Sequence, residues 1–465
     1  MPELEAILSE IIKAYDVRGV VPDQLNTDIA YALGAAFVEI TDHPESLVVG
    51  RDMRVSSGDL AEAFIGGATG QGSSVVDIGL CSTDQLYFAS GKLELPGAMI
   101  TASHNPAQYS GFKFCRAGAA PIGRDSGLEQ IRKLLVDGLR PGDGPRGEVR
   151  QADLLGDYAA HLKSLVDLSG MRRLRVVVDA GNGMAGHTVP AVFDGLDVEL
   201  IPLYFELDGT FPNHLANPIE PENLRDLAAK VRETGADLGL AFDGDADRCW
   251  VLDERGESVS PSAITALIAV RELAREPGAT IIHNLITSKA VPEIVREHGG
   301  TPVRDRVGHS FIKATMAETG AIFGGEHSAH FYFRDFWRAD SGMLAALHVM
   351  AALGAQDRPL SELLADYTRY VASGEVNTEV ADQAAALARV KQAYEGREGN
   401  TVDELDGLTV EHAGTGSDDP MWWFNLRPSN TEPVLRLNAE AADAATMERV
   451  RDEVLGLIRG AGGPG

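Results

Sequence analysis

Cysteine is almost absent from this chain. Cys81, Cys115 and Cys249 are odd in number and far apart. They support neither a disulfide framework nor a Cys-based zinc site, and they fit a reducing compartment. Long apolar runs are missing too. Nothing approaches the roughly 18 consecutive apolar residues that a membrane span needs, so no membrane partner is expected. The opening Met1-Pro2-Glu3-Leu4-Glu5 is acidic and lacks the basic-then-apolar plan of a signal peptide. The expected location is the cytoplasm. Positive charge is also in short supply. Lysine and arginine number 41 against 69 aspartates and glutamates, a net charge of −28. Nucleic-acid binding rests on cationic phosphate contacts, so no nucleic-acid partner is expected. A small phosphorylated ligand is not excluded, but the overall field repels it. Local cations and a metal ion must therefore hold it. Only nine lysines occur, and Lys113 and Lys289 fall in motif-like stretches.

What is present is an α/β pattern on a large scale. The chain has 465 residues, which at about 100–200 residues per domain implies three or four domains. One unit recurs three times: strand, helix, strand, and then a short strand capped by a polar loop. The first runs from Leu47-Val48-Val49-Gly50-Arg51-Asp52 through Ser74–Gly79 to the loop Thr101-Ala102-Ser103-His104-Asn105-Pro106. The second runs from Leu174–Asp179 through Asp197–Ile201 to Asp243-Gly244-Asp245-Ala246-Asp247-Arg248. The third runs from Ala279–Asn284, a helix at Ala290–Glu297 and a strand at Thr301–Val303 to Gly324-Gly325-Glu326-His327-Ser328-Ala329-His330. Such alternation implies largely parallel sheets, with sites at the carboxyl ends of strands. Ala345 to Tyr370 reads as helical. Beyond it the pattern becomes α+β: a helix near Gln383–Glu395, strands near Leu408–Glu411, Trp422–Leu426 and Pro433–Leu437, and a helix from Ala442 to Arg459. The expected domains are 1–146, 147–252, 253–368 and 369–465.

The loops carry the chemistry. A serine on a loop after a buried strand can be a nucleophile or a phosphate carrier, although Ser-x-Asn-Pro is also a good turn. In Asp243-x-Asp245-x-Asp247, alternate carboxylates share one side of an extended backbone and repel unless a cation sits among them. Oxygen-only ligands suit Mg²⁺. An EF-hand is a rival, with Glu254 at its twelfth position, but Arg248 stands where the sharp turn wants glycine. Gly181-Asn182-Gly183-Met184-Ala185-Gly186 matches the dinucleotide fingerprint and supports an NAD-dependent oxidoreductase as the rival function. Its structural reading is glycine needed for close helix–strand packing. Arg427-Pro428-Ser429-Asn430-Thr431-Glu432-Pro433 has the inventory of a phosphate-binding loop or of a proline-punctuated hairpin. Lys113 has apolar neighbours that lower an ammonium pKa toward acid/base use.

Taken together these stretches resemble the α-D-phosphohexomutase family, and within it the bacterial phosphomannomutase/phosphoglucomutase group. The resemblance covers nearly the whole chain. It includes Lys13-Ala14-Tyr15-Asp16-Val17-Arg18-Gly19, the serine loop, the carboxylate loop, Gly325-Glu326-His327-Ser328 and Arg427–Thr431, in that order. It implies three related α/β domains with mixed, largely parallel sheets and a C-terminal α+β domain around a central cleft. It implies that Ser103 carries a phosphoryl group and that Mg²⁺ is bound by Asp243, Asp245, Asp247 and the phosphoserine. Arg18, His104 and Lys113 would surround that phosphoserine, with Lys113 as general acid/base, Arg248 beside it and His309 a further catalytic group. Tyr15 and Lys289 would line the cleft. Glu326 and Ser328 would grip sugar hydroxyls, with His330 on the same loop, and Arg427, Ser429, Asn430 and Thr431 would hold the substrate's phosphate.

The implied reaction interconverts hexose 1-phosphate and hexose 6-phosphate through a hexose 1,6-bisphosphate. Glucose or mannose 1,6-bisphosphate would act as activator, and the assembly would be a monomer or weak homodimer. The dual-specificity enzymes usually read Gly-Glu-Met-Ser-Gly-His in the sugar loop, and this chain departs from them at His327 and Ala329. Phosphoglucosamine mutases usually carry Ser-Gly-Thr in the phosphate loop, which Ser429-Asn430-Thr431 does not match. That enzyme, the oxidoreductase and an inactive sugar-phosphate binder remain the alternatives.

Overall fold

The computed structural model describes residues 2–140, 142, 144–429 and 434–460, without the side chains of Pro2, Glu3 and His309. Four sheets follow one another along the chain. In the first, Gly97–Ile100, Ser46–Arg51, Ser74–Leu80 and Val149–Gln151 run parallel, and Tyr109–Arg116 and Val17–Val20 close one side antiparallel. Val149–Gln151, which follows the glycine- and proline-rich residues 138–147, thus returns to the edge of this sheet. In the second, Leu238–Phe242, Leu174–Asp179 and Val198–Leu203 run parallel and Cys249–Leu252 is antiparallel at the edge. In the third, Thr301–Asp305, Thr280–Asn284 and Phe323–Gly325 are parallel, followed by antiparallel Phe331–Phe333 and Ala339–Asp340. The expectation of mixed, largely parallel sheets holds. The physical cause is visible in the strands: Leu238–Phe242 and Phe323–Gly325 are buried at every position, as strands covered by helices on both faces must be.

The fourth sheet is antiparallel throughout, in the order Val371–Glu379, Val434–Ala441, Trp422–Pro428, Leu408–His412, Asn400–Asp403. Helices Gln383–Tyr394 and Ala444–Ile458 bury Val390, Tyr394, Val450 and Val454 against it. This is the expected α+β unit.

Two expectations need correction. The stretch Ala345–Tyr370 is not one helix but two, Gly342–Gly354 and Leu360–Ala365. Pro359 lacks the N–H a continuing helix would need and biases the residue before it away from helical angles. The strand Val371–Glu379 was not foreseen. It has few buried positions and a register shift between Ala372 and Glu375, so its alternation is blurred.

The cores divide unevenly. One hydrophobic cluster runs continuously through the first three units, joining Val48 and Met99 to Val177, Phe242, Ile281 and Leu347. The C-terminal unit keeps its own cluster. Among the described residues, no helix is long and apolar enough to cross a membrane.

Candidate active site

The serine and carboxylate loops each leave the carboxyl end of a buried strand, Gly97–Ile100 and Leu238–Phe242, and they meet. Ser103 has φ 51° and Ala246 φ 59°, left-handed turns that aim side chains inward. The two backbones touch so closely that a Cβ on Gly244 would stand 2.4 Å from the Ser103 carbonyl oxygen, which only glycine allows. Ser103 Oγ donates to Asp243 Oδ2 at 2.7 Å and lies 3.1 Å from His104 Nδ1. Arg248 Nη2 donates to Ser103 Oγ at 3.3 Å and to Asp243 Oδ2 at 2.9 Å, and it also bonds His104 Nδ1. Burial first, then Arg248 and Arg18, push the His104 pKa well down, so the ring is neutral.

The carboxylate loop fits a hard divalent cation. Asp243, Asp245 and Asp247 are buried and offer oxygens within 4.8 Å of one another. Asp245 Oδ1 and Asp247 Oδ1 are buried with no hydrogen-bond partner. Burial, with Asp245 and Asp243 beside it, pushes the Asp247 carboxyl up to about 7. Orphaned oxygens and mutual repulsion are the marks of a site completed by a cation, and an all-oxygen set suits Mg²⁺-type chemistry. The EF-hand reading fails, because the loop joins the antiparallel strands Leu238–Phe242 and Cys249–Leu252 and Glu254 instead accepts from the Ser361 N–H at 3.1 Å. The dinucleotide reading is not supported either. The Met184 N–H of the glycine-rich turn donates to Gly244 O at 2.9 Å, and Asp179 accepts from the Gly181 N–H at 2.8 Å. The turn packs on the carboxylate loop: a Cβ on Gly183 would stand 2.7 Å from Gly244 O.

Models of the four phosphoglucomutase/phosphomannomutase domains match in order: the alpha/beta/alpha domains I, II and III at residues 9–137, 156–256 and 260–370, and the C-terminal domain at 375–457. A phosphomannomutase of Escherichia coli is 42% identical over 458 residues, covering 96% of this chain and 98% of that protein. The chain belongs to the phosphoglucomutase/phosphomannomutase family. A phosphohexose mutase of Xanthomonas campestris pv. campestris is 42% identical over 453 residues, 96% of this chain and 99% of that one. The crystal structure of a family protein from Burkholderia thailandensis superimposes with a TM-score of 0.87 at 34% identity, covering 98% of each chain.

Within this phosphohexomutase fold, most residues singled out from sequence converge. Arg18 pairs with Asp16 at 2.7 Å and reaches Ala102 O at 3.4 Å and the Asn105 side chain. Lys113 Nζ bonds Asp245 at 2.7 Å and also Asp247. Here the expected pKa direction is overturned. Burial does lower the Lys113 pKa, but Asp245 and Asp247 outweigh it and raise it above the ordinary value. His330 Nδ1 lies 3.0 Å from Asp340 Oδ2 and clusters with Asp247. Burial alone would lower its pKa, but Asp340 and Asp247 raise it.

Glu326 is buried, and its carboxylate accepts from Tyr332, from Asn284 at 3.2 Å and from the Gly308 N–H at 3.3 Å. Ser328 beside it is partly exposed. His327 turns the other way, to Ser262 Oγ at 3.2 Å, against the C-terminal domain's Asn438, Ala439 and Glu440. Tyr15 and Arg427 face each other across a cavity of about 260 Å³ that also meets Phe311 and Asp406. Arg427 Nε is buried with no hydrogen-bond partner, and its Nη2 lies 3.6 Å from Glu375. Ser429 Oγ accepts from Arg436 at 3.3 Å.

Lys289 does not join them. Its Nζ pairs with Glu411 at 2.9 Å in a separate cavity of about 320 Å³, and its N–H donates to Glu440 at 2.9 Å. The position just before helix Ala290–Glu297 aims it at the C-terminal domain. Asn430, Thr431 and the His309 side chain lie outside the described residues.

Sequence reading missed Arg54. This buried guanidinium donates to the carbonyls of Ser103 (2.8 Å), Asn105 (2.7 Å), Pro106 (2.9 Å) and Tyr109 (3.0 Å), and pairs with Asp52 at 3.2 Å. The available signal was two charges, Asp52 and Arg54, directly after a buried strand. Thr83 was also missed. Its Oγ1 donates to Asp245 Oδ2 at 2.6 Å, and nothing local in its sequence announces that.

Proposed function

We propose that the chain is a phosphomannomutase that also accepts glucose phosphates, interconverting hexose 1-phosphate and hexose 6-phosphate. The observation that carries this reading is Ser103 Oγ at 2.7 Å from Asp243 on a carboxylate loop where Asp245 Oδ1 and Asp247 Oδ1 are buried with no hydrogen-bond partner. Asp243, Asp245 and Asp247 would hold Mg²⁺ together with a phosphoryl oxygen on Ser103. When bound, a divalent cation neutralises charge on the transferring phosphoryl group.

The chain's own residues do the positioning. Arg248 donates to the Ser103 oxygen, Arg18 reaches the neighbouring Ala102 carbonyl, and Lys113 holds its charge beside Asp245 and Asp247. Phosphoryl transfer demands chiefly alignment and charge neutralisation, and these cations supply both. The phosphoryl of Ser103 passes to the free hydroxyl of a hexose 1-phosphate, giving the 1,6-bisphosphate. After the intermediate turns end over end, its other phosphoryl returns to Ser103 and hexose 6-phosphate leaves. Arg427, facing Tyr15, would hold whichever phosphate is not reacting, a role the sequence resemblance also gives to Ser429, Asn430 and Thr431. Added glucose or mannose 1,6-bisphosphate would activate by phosphorylating Ser103.

A coupled assay with mannose, glucose and glucosamine 1-phosphates tests this. Turnover of the first two, lost without Mg²⁺ and lost in Ser103→Ala, is the expected result. Full activity in Ser103→Ala, or preferred turnover of glucosamine 1-phosphate, contradicts it.

A further inference from the structure

Asp84 is fully buried where the first three domains meet. It sits in the first turn of helix Thr83–Leu93, on domain I. Its Oδ2 accepts from Tyr158 Oη at 2.8 Å, on domain II, and from Ser341 Oγ at 2.6 Å, on domain III. The Ser82 hydroxyl bonds its other oxygen. Apolar packing surrounds the junction: Phe88 meets the rings of Tyr158 and Trp337 at 5.9 Å and 6.1 Å. Ion pairs do not explain this carboxylate, and burial pushes it up to about 6.

Two routes lead from Asp84 to the carboxylate loop. Its neighbour Thr83 donates its N–H to Asp245 O at 2.9 Å and its hydroxyl to Asp245 Oδ2 at 2.6 Å. Its partner Ser341 caps helix Gly342–Gly354 by accepting the Leu344 N–H at 3.0 Å. The first residue of that helix presses on Arg248, because a Cβ on Gly342 would stand 2.6 Å from the Arg248 carbonyl carbon. One carboxylate therefore ties down both flanks of the loop, Asp245 through Thr83 and Arg248 through Ser341.

We propose that Asp84 is a positioning residue of the phosphoryl-transfer centre, setting the geometry of Asp245 and Arg248 by clamping three domains. The proposal rests on the metal-loop reading above. Partners beyond a ligand shell typically govern metal affinity and activity by about 10–100-fold. Asp84 acts through Thr83 and should fall at the low end of that range.

The test is Mn²⁺ affinity, read by paramagnetic resonance, beside kcat and KM for the full chain. Asp84→Asn should weaken Mn²⁺ binding about tenfold and lower kcat by a similar factor, with KM for hexose phosphate within about twofold of wild type. Thr83→Val should act in the same direction and at least as strongly. A folded Asp84→Asn with wild-type Mn²⁺ affinity and kcat overturns the proposal. If Asp84→Asn does not fold, Ser341→Ala decides: about threefold weaker Mn²⁺ binding supports the clamp, and unchanged binding overturns it. A wild-type chain that binds no Mn²⁺ overturns the reading of the loop and the clamp with it. A wild type that binds and a variant that binds equally overturn the clamp alone.

Discussion

Arg54 has its whole guanidinium spent on backbone carbonyls of the serine loop and on Asp52. Arginine suits that task because its rigid fork presents several donors at once. Arg54→Met would leave the buried Asp52 carboxylate uncompensated, a cost of about 3–5 kcal/mol, and would free the Ser103 loop. The expected outcome is a clearly lower melting temperature and loss of most mutase turnover, read by calorimetry and the coupled assay. Titration of single buried residues also matters. His283 is buried, with its pKa lowered to about 4, and His348, stacked on Phe333, has its pKa lowered to about 3, in both cases chiefly by burial. Unfolded histidine titrates near about 6.5, so the unfolded chain binds more protons below that pH. The stability held by these neutral rings is present above pH 6.5 and is lost as pH falls toward 4. His283→Gln should flatten that acid loss by about 2 kcal/mol, measured as denaturant unfolding at pH 7 and pH 4.5.

At the level of elements, the site is made where strand ends meet. The loops after Gly97–Ile100 and Leu238–Phe242 touch through Gly244. Gly244→Ala must push the Ser103 carbonyl away while leaving both sheets unchanged. It should lower kcat about a hundredfold, about 3 kcal/mol for a misplaced reacting group, with native circular dichroism. This convergence was legible in sequence because each loop follows a short, wholly apolar run, and buried parallel strands put their chemistry at their carboxyl ends. Legibility failed where contacts cross between domains. Lys289 pairs with Glu411 on another domain, a contact no local pattern announces. The strand Val371–Glu379 hid behind exposed polar residues and a bulge. Thr83 gains its role solely from Asp245, far along the chain.

Across the whole molecule, one apolar cluster runs through domains I to III, while the C-terminal domain keeps its own. Polar links span the remaining seam. Glu411 accepts from Lys289 at 2.9 Å and Arg304 at 3.2 Å, and Asp406 from the Val307 N–H at 3.1 Å. Seams of this kind permit hinge motion. Calorimetry should resolve a separate transition for the C-terminal domain. Glu411→Gln removes half-exposed ion pairs that contribute at most about 1 kcal/mol each. It should raise KM about two- to fivefold with kcat nearly unchanged, and an unchanged KM would show that the seam plays no part in holding substrate. The account as a whole stands on Ser103 as the phosphoryl carrier. The most direct measurement is phosphopeptide mapping after incubation with glucose 1,6-bisphosphate and Mg²⁺. The account predicts one phosphoryl group per chain, on Ser103, chased into hexose phosphate on adding unlabelled substrate. An unmodified chain, or a phosphoryl group on another residue that turns over at the rate of catalysis, would contradict it.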